Sequence, residues 1–188
     1  MSNPEKQYHR DGIAVSKEKF PYSGDIKYED ALGYLKKIAL EHKGDKPVLV
    51  VLVGDRNAGK TTFIKELIEA AWKEEPERKV VIYKIQGDLE NNLKKIKKLK
   101  QDMPESKFPM IVWEVTGSFS PDVQSLVGLG MLPETFIYMY DPKMEKRPNR
   151  RALLQETIKV REGISKQFRV PYEQPEVLIV QNPRAGFK

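Results

Sequence analysis

A loop rich in glycine and polar residues is the stretch whose residue types and spacing most directly indicate chemistry. From Gly54 to Thr61 it reads G-D-R-N-A-G-K-T, which fits the pattern G-x-x-x-x-G-K-[ST] of phosphate-binding loops. Gly54 and Gly59 permit a tight turn with no Cβ between backbone and ligand, so backbone N–H groups can point at a polyphosphate. In such loops the lysine, here Lys60, reaches the β- and γ-phosphates, and the hydroxyl of Thr61 ligates Mg²⁺.

The loop therefore predicts a site for a nucleoside triphosphate, GTP or ATP, with Mg²⁺ as cofactor. The residues expected to bind the nucleotide here are Gly54, Asp55, Arg56, Asn57, Ala58, Gly59, Lys60, Thr61 and Thr62.

The segments that flank the loop suit this role. Residues 48–53 are an uninterrupted, valine-rich apolar run, as expected for a parallel strand buried on both faces. After the loop, apolar residues recur at helical spacing, which predicts an amphipathic helix. The residues expected on its buried side are Phe63, Ile64, Leu67, Ile68, Ala71 and Trp72.

Strands and helices alternate along the rest of the chain. Further strands are expected at 79–86, 110–115, 135–140 and 177–180, and helices at about 26–42, 88–100 and 149–168, with a short helix starting at Ser120. This alternation predicts a three-layer α/β/α fold with a mostly parallel central sheet of about five strands. Together with the loop motif, it predicts a P-loop NTPase fold.

Two regions are expected along the chain. Residues 1–24 are interpreted as an N-terminal arm of low order. Residues 25–188 are interpreted as a single nucleotide-binding domain, with an extra N-terminal helix that Asp25 caps.

Ligands of parallel sheets bind at the carboxyl ends of the strands, and candidate residues lie at or just after the ends of several expected strands. These are Glu114, Gly117, Asp141, Asn182 and Arg184. Together with the loop they form the candidate site, in which Lys60, Glu114 and Asp141 are the expected catalytic residues.

The order of these motifs resembles the Ras-like small GTPase family, in particular its Arf-like branches, over about residues 48–186. Trp113-Glu114-Val115-Thr116-Gly117 stands where the family has W-D-x-x-G. The resemblance implies that Glu114 holds Mg²⁺ through water and that the Gly117 amide senses the γ-phosphate. It also implies that Asp141 ends the fourth strand of the family and that Asn182 corresponds to the asparagine of N-K-x-D.

Several family features are absent. No threonine occurs between Thr62 and Thr116 to serve as the switch-I threonine, and Ser118 stands where many members carry glutamine. Pro183 and Ala185 replace the lysine and aspartate of N-K-x-D, so the sequence does not indicate whether the site prefers guanine or adenine. The chain stops at Lys188, before the last strand and helix of the family, and the helix at 26–42 is expected to cover the sheet in their place.

The predicted function is Mg²⁺-dependent binding of a purine nucleoside triphosphate with slow hydrolysis, acting as a nucleotide-dependent switch. One alternative is a compact ATPase of the DNA-translocating or genome-packaging type. In that case Asp141 is the Mg²⁺-associated acid and Gln181 senses the γ-phosphate, although Pro142 stands where a catalytic glutamate should follow. The other alternative is a nucleotide-binding scaffold without turnover.

Composition and charge indicate which partners and which cellular location to expect. The chain has a net charge of +6 and no cysteine, so a thiolate metal site or disulfide framework is excluded. Part of the positive charge lies on Lys94, Lys95, Lys97 and Lys98, a basic surface that could take nucleic acid or an acidic protein partner. No apolar run approaches about 18 residues, so we expect a cytoplasmic protein without a transmembrane segment.

Overall fold

The computed structural model describes residues 23–44, 47–76, 80–85, 89–102, 107–116, 133–143, 149–169 and 176–182. Its strands are β1 (Ser23–Lys27), β2 (Val48–Gly54), β3 (Val80–Ile85), β4 (Lys107–Thr116), β5 (Pro133–Tyr140) and β6 (Glu176–Gln181). Its helices are α1 (Tyr28–Glu41), α2 (Lys60–Glu74), α3 (Leu89–Asp102) and α4 (Arg150–Phe168).

The strands form one sheet with the order β1-β6-β5-β2-β4-β3, and every neighbouring pair is parallel. Strand β2, which leads into the glycine-containing loop, lies inside the sheet between β5 and β4. The carboxyl ends of these central strands are aligned, since Gly54 at the end of β2 is opposite Thr116 at the end of β4.

Helices cover both faces of the sheet. Val50 and Leu52 of β2 join a core cluster with residues of α1 and α2, whereas Leu49 and Val51 join a second cluster that includes residues of α4. Successive strand residues point to opposite faces, so the uninterrupted apolar run of β2 is explained by burial on both sides. The predicted three-layer α/β/α architecture with a parallel sheet is confirmed, with six strands instead of about five.

The additional strand is β1, at the amino end of the described chain. Asp25 lies within it, opposite Ile179 of β6. The prediction that Asp25 caps the first helix is therefore wrong. Helix α1 begins at Tyr28 after an N-cap at Lys27 that forms no side-chain capping bond. The physical reason is that pairing with β6 satisfies the backbone groups on one side of β1, which a sequence-local helix signal does not take into account.

Helix α1 packs onto one face of the sheet, as the sequence predicts for the helix at 26–42. Ala31 and Leu35 are fully buried in its core cluster. A polar contact adds to this packing, because the Tyr34 hydroxyl donates a hydrogen bond of 2.7 Å to the buried carboxylate of Glu176. The same carboxylate accepts a bond of 3.1 Å from Thr135. These bonds connect α1 to β6 and β5.

Two predictions concern helices α2 and α4: the cap of α4 and the burial of Trp72 on α2. The cap of α4 is confirmed, since the Asn149 side chain accepts bonds from the N–H groups of Arg151 and Ala152. The burial of Trp72 on α2 is a wrong prediction, because its side chain is 59% exposed. A four-residue step advances about 40° past a full turn, so the row that starts at buried Ile64 has rotated out of the core by Trp72.

Two further predictions concern helices: a short helix from Ser120 and the absence of a transmembrane segment. The short helix expected from Ser120 lies outside the described residues. Among the helices that the structure describes, none combines the length and the apolar character needed to cross a bilayer.

Candidate functional site

The loop from Gly54 to Lys60 joins the carboxyl end of β2 to the first turn of α2. Its backbone enters the left-handed region at Asn57 (φ 77°) and at Gly59 (φ 86°). Asparagine and glycine are the residues that adopt this region most readily. A backbone bond of 3.2 Å from Ala58 N to Asp55 O closes the turn. The residue types of the loop therefore match the conformation that it adopts.

Both loop glycines are required by close contacts. A Cβ on Gly54 would lie 2.2 Å from the backbone oxygen of Met139 on β5. A Cβ on Gly59 would lie 2.0 Å from the Asn182 side-chain nitrogen. Met139 O is a backbone atom that cannot move aside, so the loop packs against β5 only with glycine at Gly54. At Gly59 the left-handed φ of 86° adds strain for any residue with a Cβ.

Lys60 is the first residue of α2, and its ammonium lies inside the loop. Its side chain is only 4% exposed, and its ammonium donates bonds of 2.6 Å to Gly54 O and 2.7 Å to Asp55 O. The first intrahelical bond of α2 runs from Phe63 N to Gly59 O, so the preceding N–H groups point out of the helix end. The loop thus combines a buried positive charge with the positive end of a helix dipole, which favours an anion.

Thr61 and Glu114 meet beside the loop. The Thr61 hydroxyl donates a bond of 3.0 Å to Glu114 Oε1 and lies 3.3 Å from Oε2. Glu114 comes from β4, the neighbour of β2, where it is opposite Leu52. It points to the α2 face because Val112, on the same face of β4, belongs to the cluster that includes α2.

A hydroxyl and a carboxylate are ligands that suit Mg²⁺. Among the described residues there is no group of three or more carboxylate or imidazole side chains that could hold a metal alone. Mg²⁺ at nucleotide sites is usually held by one or two carboxylates together with the phosphates. The pair formed by Thr61 and Glu114 fits that donor set.

Lys84 of β3 completes this group, and sequence reasoning missed it. Its ammonium forms an ion pair with Glu114 and lies 3.4 Å from the Thr61 hydroxyl, to which it donates. Lys84 stands in the apolar strand pattern V-V-I-Y-K-I, where a single lysine indicates no particular partner. Only the pairing of β3 with β4 brings it to Glu114.

Asn182 supports the loop from the end of β6. Its side-chain nitrogen donates a buried bond of 3.0 Å to Ala58 O, and its backbone N–H donates a bond of 3.0 Å to Tyr140 O of β5. The sequence places Asn182 in the candidate site, as the counterpart of the asparagine of N-K-x-D. In the structure its amide holds the loop in place.

Asp141 lies at the end of β5 and is almost fully buried, with 2% exposure. One carboxylate oxygen accepts a bond of 2.9 Å from Lys143 N. The other oxygen has no hydrogen-bond partner within the part of the chain that the structure describes. Gln181, the other residue of the ATPase alternative, is exposed and accepts a long bond of 3.4 Å from the Tyr140 hydroxyl.

The remaining predicted residues are placed as follows. Asp55, Arg56, Asn57 and Thr62 are exposed, and Ala58 is buried. Gly117 and Arg184 lie outside the described residues. The basic surface is on α3, where Lys94, Lys95, Lys97 and Lys98 are all exposed.

A separate cavity of about 540 Å³ lies at the carboxyl ends of β1, β5 and β6. Its wall includes Lys27, Tyr140, Ile179 and Gln181. Tyr140 and Ile179 alternate with Met139 and Val180, which face α1 and α2, so the strand side chains of this wall point to the opposite face. Lys60, Thr61 and Glu114 are not among the residues that line this cavity.

The fold and the loop together define a three-layer α/β protein in which the turn after β2 favours an anion. No known protein-family model matches the chain, and no curated protein is significantly similar to it. The likeness of its motifs to Ras-like GTPases therefore stays a prediction.

Proposed function

We propose that the protein binds the Mg²⁺ complex of a purine nucleoside triphosphate at residues 54–62, hydrolyses it slowly and acts as a nucleotide-dependent switch. The observation that carries the proposal is the position of Lys60. Its buried ammonium lies inside a tight loop at the amino end of α2 and is bonded to Gly54 O and Asp55 O. A buried ammonium and a helix end that converge in this way favour a multiply charged anion over a neutral ligand.

The chain's own residues would divide the work. Lys60 and the first-turn N–H groups of α2 would bind the phosphate oxygens and offset their charge. Thr61 and Glu114 would hold Mg²⁺, which supplies charge neutralisation when bound. Asn182 would keep the loop in its binding conformation through Ala58 O. A loop that is already held in place loses less entropy when the ligand binds.

The contacts favour Glu114 over Asp141 as the Mg²⁺-associated acid. Glu114 lies within hydrogen-bond distance of the Thr61 hydroxyl, whereas Asp141 accepts a bond from the backbone of its own turn. This supports the GTPase-like interpretation over the DNA-translocating ATPase, in which Asp141 holds the metal and Gln181 senses the γ-phosphate. The exposed lysines of α3 are proposed as the surface for an acidic protein partner or nucleic acid.

Thermal stabilisation tests the proposal directly. The melting temperature is measured with GTP, GDP, ATP and ADP, each with and without Mg²⁺. A ligand at about 100 times its dissociation constant adds roughly 2.7 kcal/mol to the free energy of unfolding. For a chain of this size that corresponds to a rise of about 5–11 °C. We expect at least one triphosphate to give this rise, and the rise to be larger with Mg²⁺.

Two lysine variants of α2 control for charge. Lys60→Ala should abolish the ligand-induced rise, whereas Lys65→Ala, which removes an exposed charge one turn further along, should preserve it. The rise is compared within each variant, because Lys60→Ala also removes two hydrogen bonds from the free protein. No rise with any nucleotide in the wild-type protein would refute the proposal. Single-turnover hydrolysis then separates a switch from a scaffold that binds without turnover.

A further inference from the structure

Lys84 supplies a positive charge to the group that it forms with Glu114 and Thr61. Lys84 Nζ forms an ion pair with Glu114 and lies 3.4 Å from Thr61 Oγ1. Both oxygen donors that would hold Mg²⁺ are therefore already in contact with one ammonium. The Glu114 side chain is 5% exposed, so its negative charge is largely removed from water and needs a positive partner.

The sheet accounts for this contact. Strands β3 and β4 are parallel, and Lys84 is opposite Val112, two residues before Glu114 on the same face of β4. A diagonal neighbour of this kind is within reach of a long side chain. Lys84 therefore reaches Glu114 from the edge strand, while Thr61 reaches it from the loop side. The ammonium is at the edge of the group, with its side chain 24% exposed.

We propose that Lys84 is an intramolecular competitor of Mg²⁺, a role that rests on the proposed function in assigning Mg²⁺ to Thr61 and Glu114. In the free protein the ammonium neutralises Glu114 and occupies its oxygens. When the divalent ion binds, the same oxygens become its ligands and Lys84 leaves Glu114. The flexible four-carbon stem and the partial exposure of Lys84 allow the ammonium to move into solvent without unfolding β3.

This competition has a defined consequence for the two ligands. Mg²⁺ and the ammonium compete for the same negative charge and the same oxygens, so Lys84 lowers the affinity of the site for divalent ions. A polyphosphate without Mg²⁺ is helped by the same contact, because Lys84 cancels the charge of Glu114 that would repel the phosphates. Lys84 therefore makes phosphate binding less dependent on Mg²⁺ than a site with Glu114 alone.

Binding of Mn²⁺ to the nucleotide-free protein tests the competition, with the ion raised to concentrations that saturate a weak site, because Thr61 and Glu114 supply only two of its ligands. Mn²⁺ is a paramagnetic ion that accepts the same oxygen ligands, and the unbound ion is measured by electron paramagnetic resonance. Lys84→Met keeps an unbranched side chain and removes the charge. We expect it to lower the Mn²⁺ concentration at half-saturation by up to about fivefold, because an ion pair that is partly exposed is worth up to about 1 kcal/mol. Lys65→Met, at an exposed position of α2, should leave the concentration unchanged.

A double mutant shows whether the effect passes through Glu114. Glu114→Gln should weaken Mn²⁺ binding, and adding Lys84→Met to it should produce no gain. Lys84→Gln is a second neutral variant if Lys84→Met does not fold, as judged by circular dichroism. Equal or weaker Mn²⁺ binding by the neutral variants, or no Mn²⁺ binding by any of them, would overturn the proposal. The titration contains no nucleotide, so failure of nucleotides to stabilise the wild-type protein counts only against the proposed function.

Discussion

Asn182 offers a sharp test of how the loop is held. Its side-chain amide donates a bond of 3.0 Å to Ala58 O across a sequence separation of 124 residues. Asn182 and Ala58 are both buried, so water cannot replace the lost donor. Asn182→Ala leaves a buried carbonyl without this partner, which costs about 1–3 kcal/mol in the free energy of unfolding.

Asn182→Asp has almost the same shape but the opposite effect on Ala58 O. It places a carboxylate oxygen where the amide donated, so two acceptors face each other in a buried position. An uncompensated buried charge costs about 3–5 kcal/mol, so Asn182→Asp should be less stable than Asn182→Ala. Acidification should recover part of this loss, because a protonated carboxyl can donate to Ala58 O again. Burial raises the pKa of such a group, so the recovery should begin above the ordinary pKa of aspartate.

Urea unfolding at several pH values measures both variants. Gln181→Ala is the matched control, since Gln181 precedes Asn182 on the same strand end but is exposed. We expect the control to be close to wild type and the order of stability to be wild type, then Asn182→Ala, then Asn182→Asp. If Asn182→Asp were as stable as the wild type at neutral pH, the bond to Ala58 O would not hold the loop.

Two further predictions concern the strands beside the loop. Gly54→Ala forces a Cβ to within 2.2 Å of Met139 O and should lower the free energy of unfolding by about 1–3 kcal/mol or more. The control is Gly33→Ala, at a helical position with open space around its Cβ, which should raise the free energy of unfolding by about 0.5–1 kcal/mol. Equal melting temperatures of the two variants would refute this. Burial raises the pKa of Tyr138, whose hydroxyl bonds to Thr157 at 2.9 Å. The neutral phenol is thus the form that the fold prefers, and its contribution to stability is present below the ordinary pKa of 10.0 and lost as the pH rises further. Tyr138→Phe should cost about 1 kcal/mol at neutral pH and reduce the loss of stability above pH 10, measured by chemical unfolding; an unchanged alkaline loss would contradict the assignment.

The sequence by itself determined the local chemistry. The pattern from Gly54 to Thr61 predicts a tight turn before a helix, and the structure has left-handed backbone at Asn57 and Gly59. The apolar run of β2 predicts a strand buried on both faces, and its alternating residues join two separate core clusters. These features depend on neighbours in the chain, on conformational preference and on periodicity, so a single sequence carries them.

Only the tertiary structure decided which distant residues complete the site. Lys84 reaches Glu114 because β3 pairs with β4, and Asn182 reaches Ala58 because β6 ends beside the loop. Likewise, Ser23–Lys27 forms a strand because β6 provides a partner for it, although the local signal favoured a helix cap at Asp25. Each of these contacts depends on strand order and register, which are set by the packing of the whole sheet and leave little trace in the residues involved.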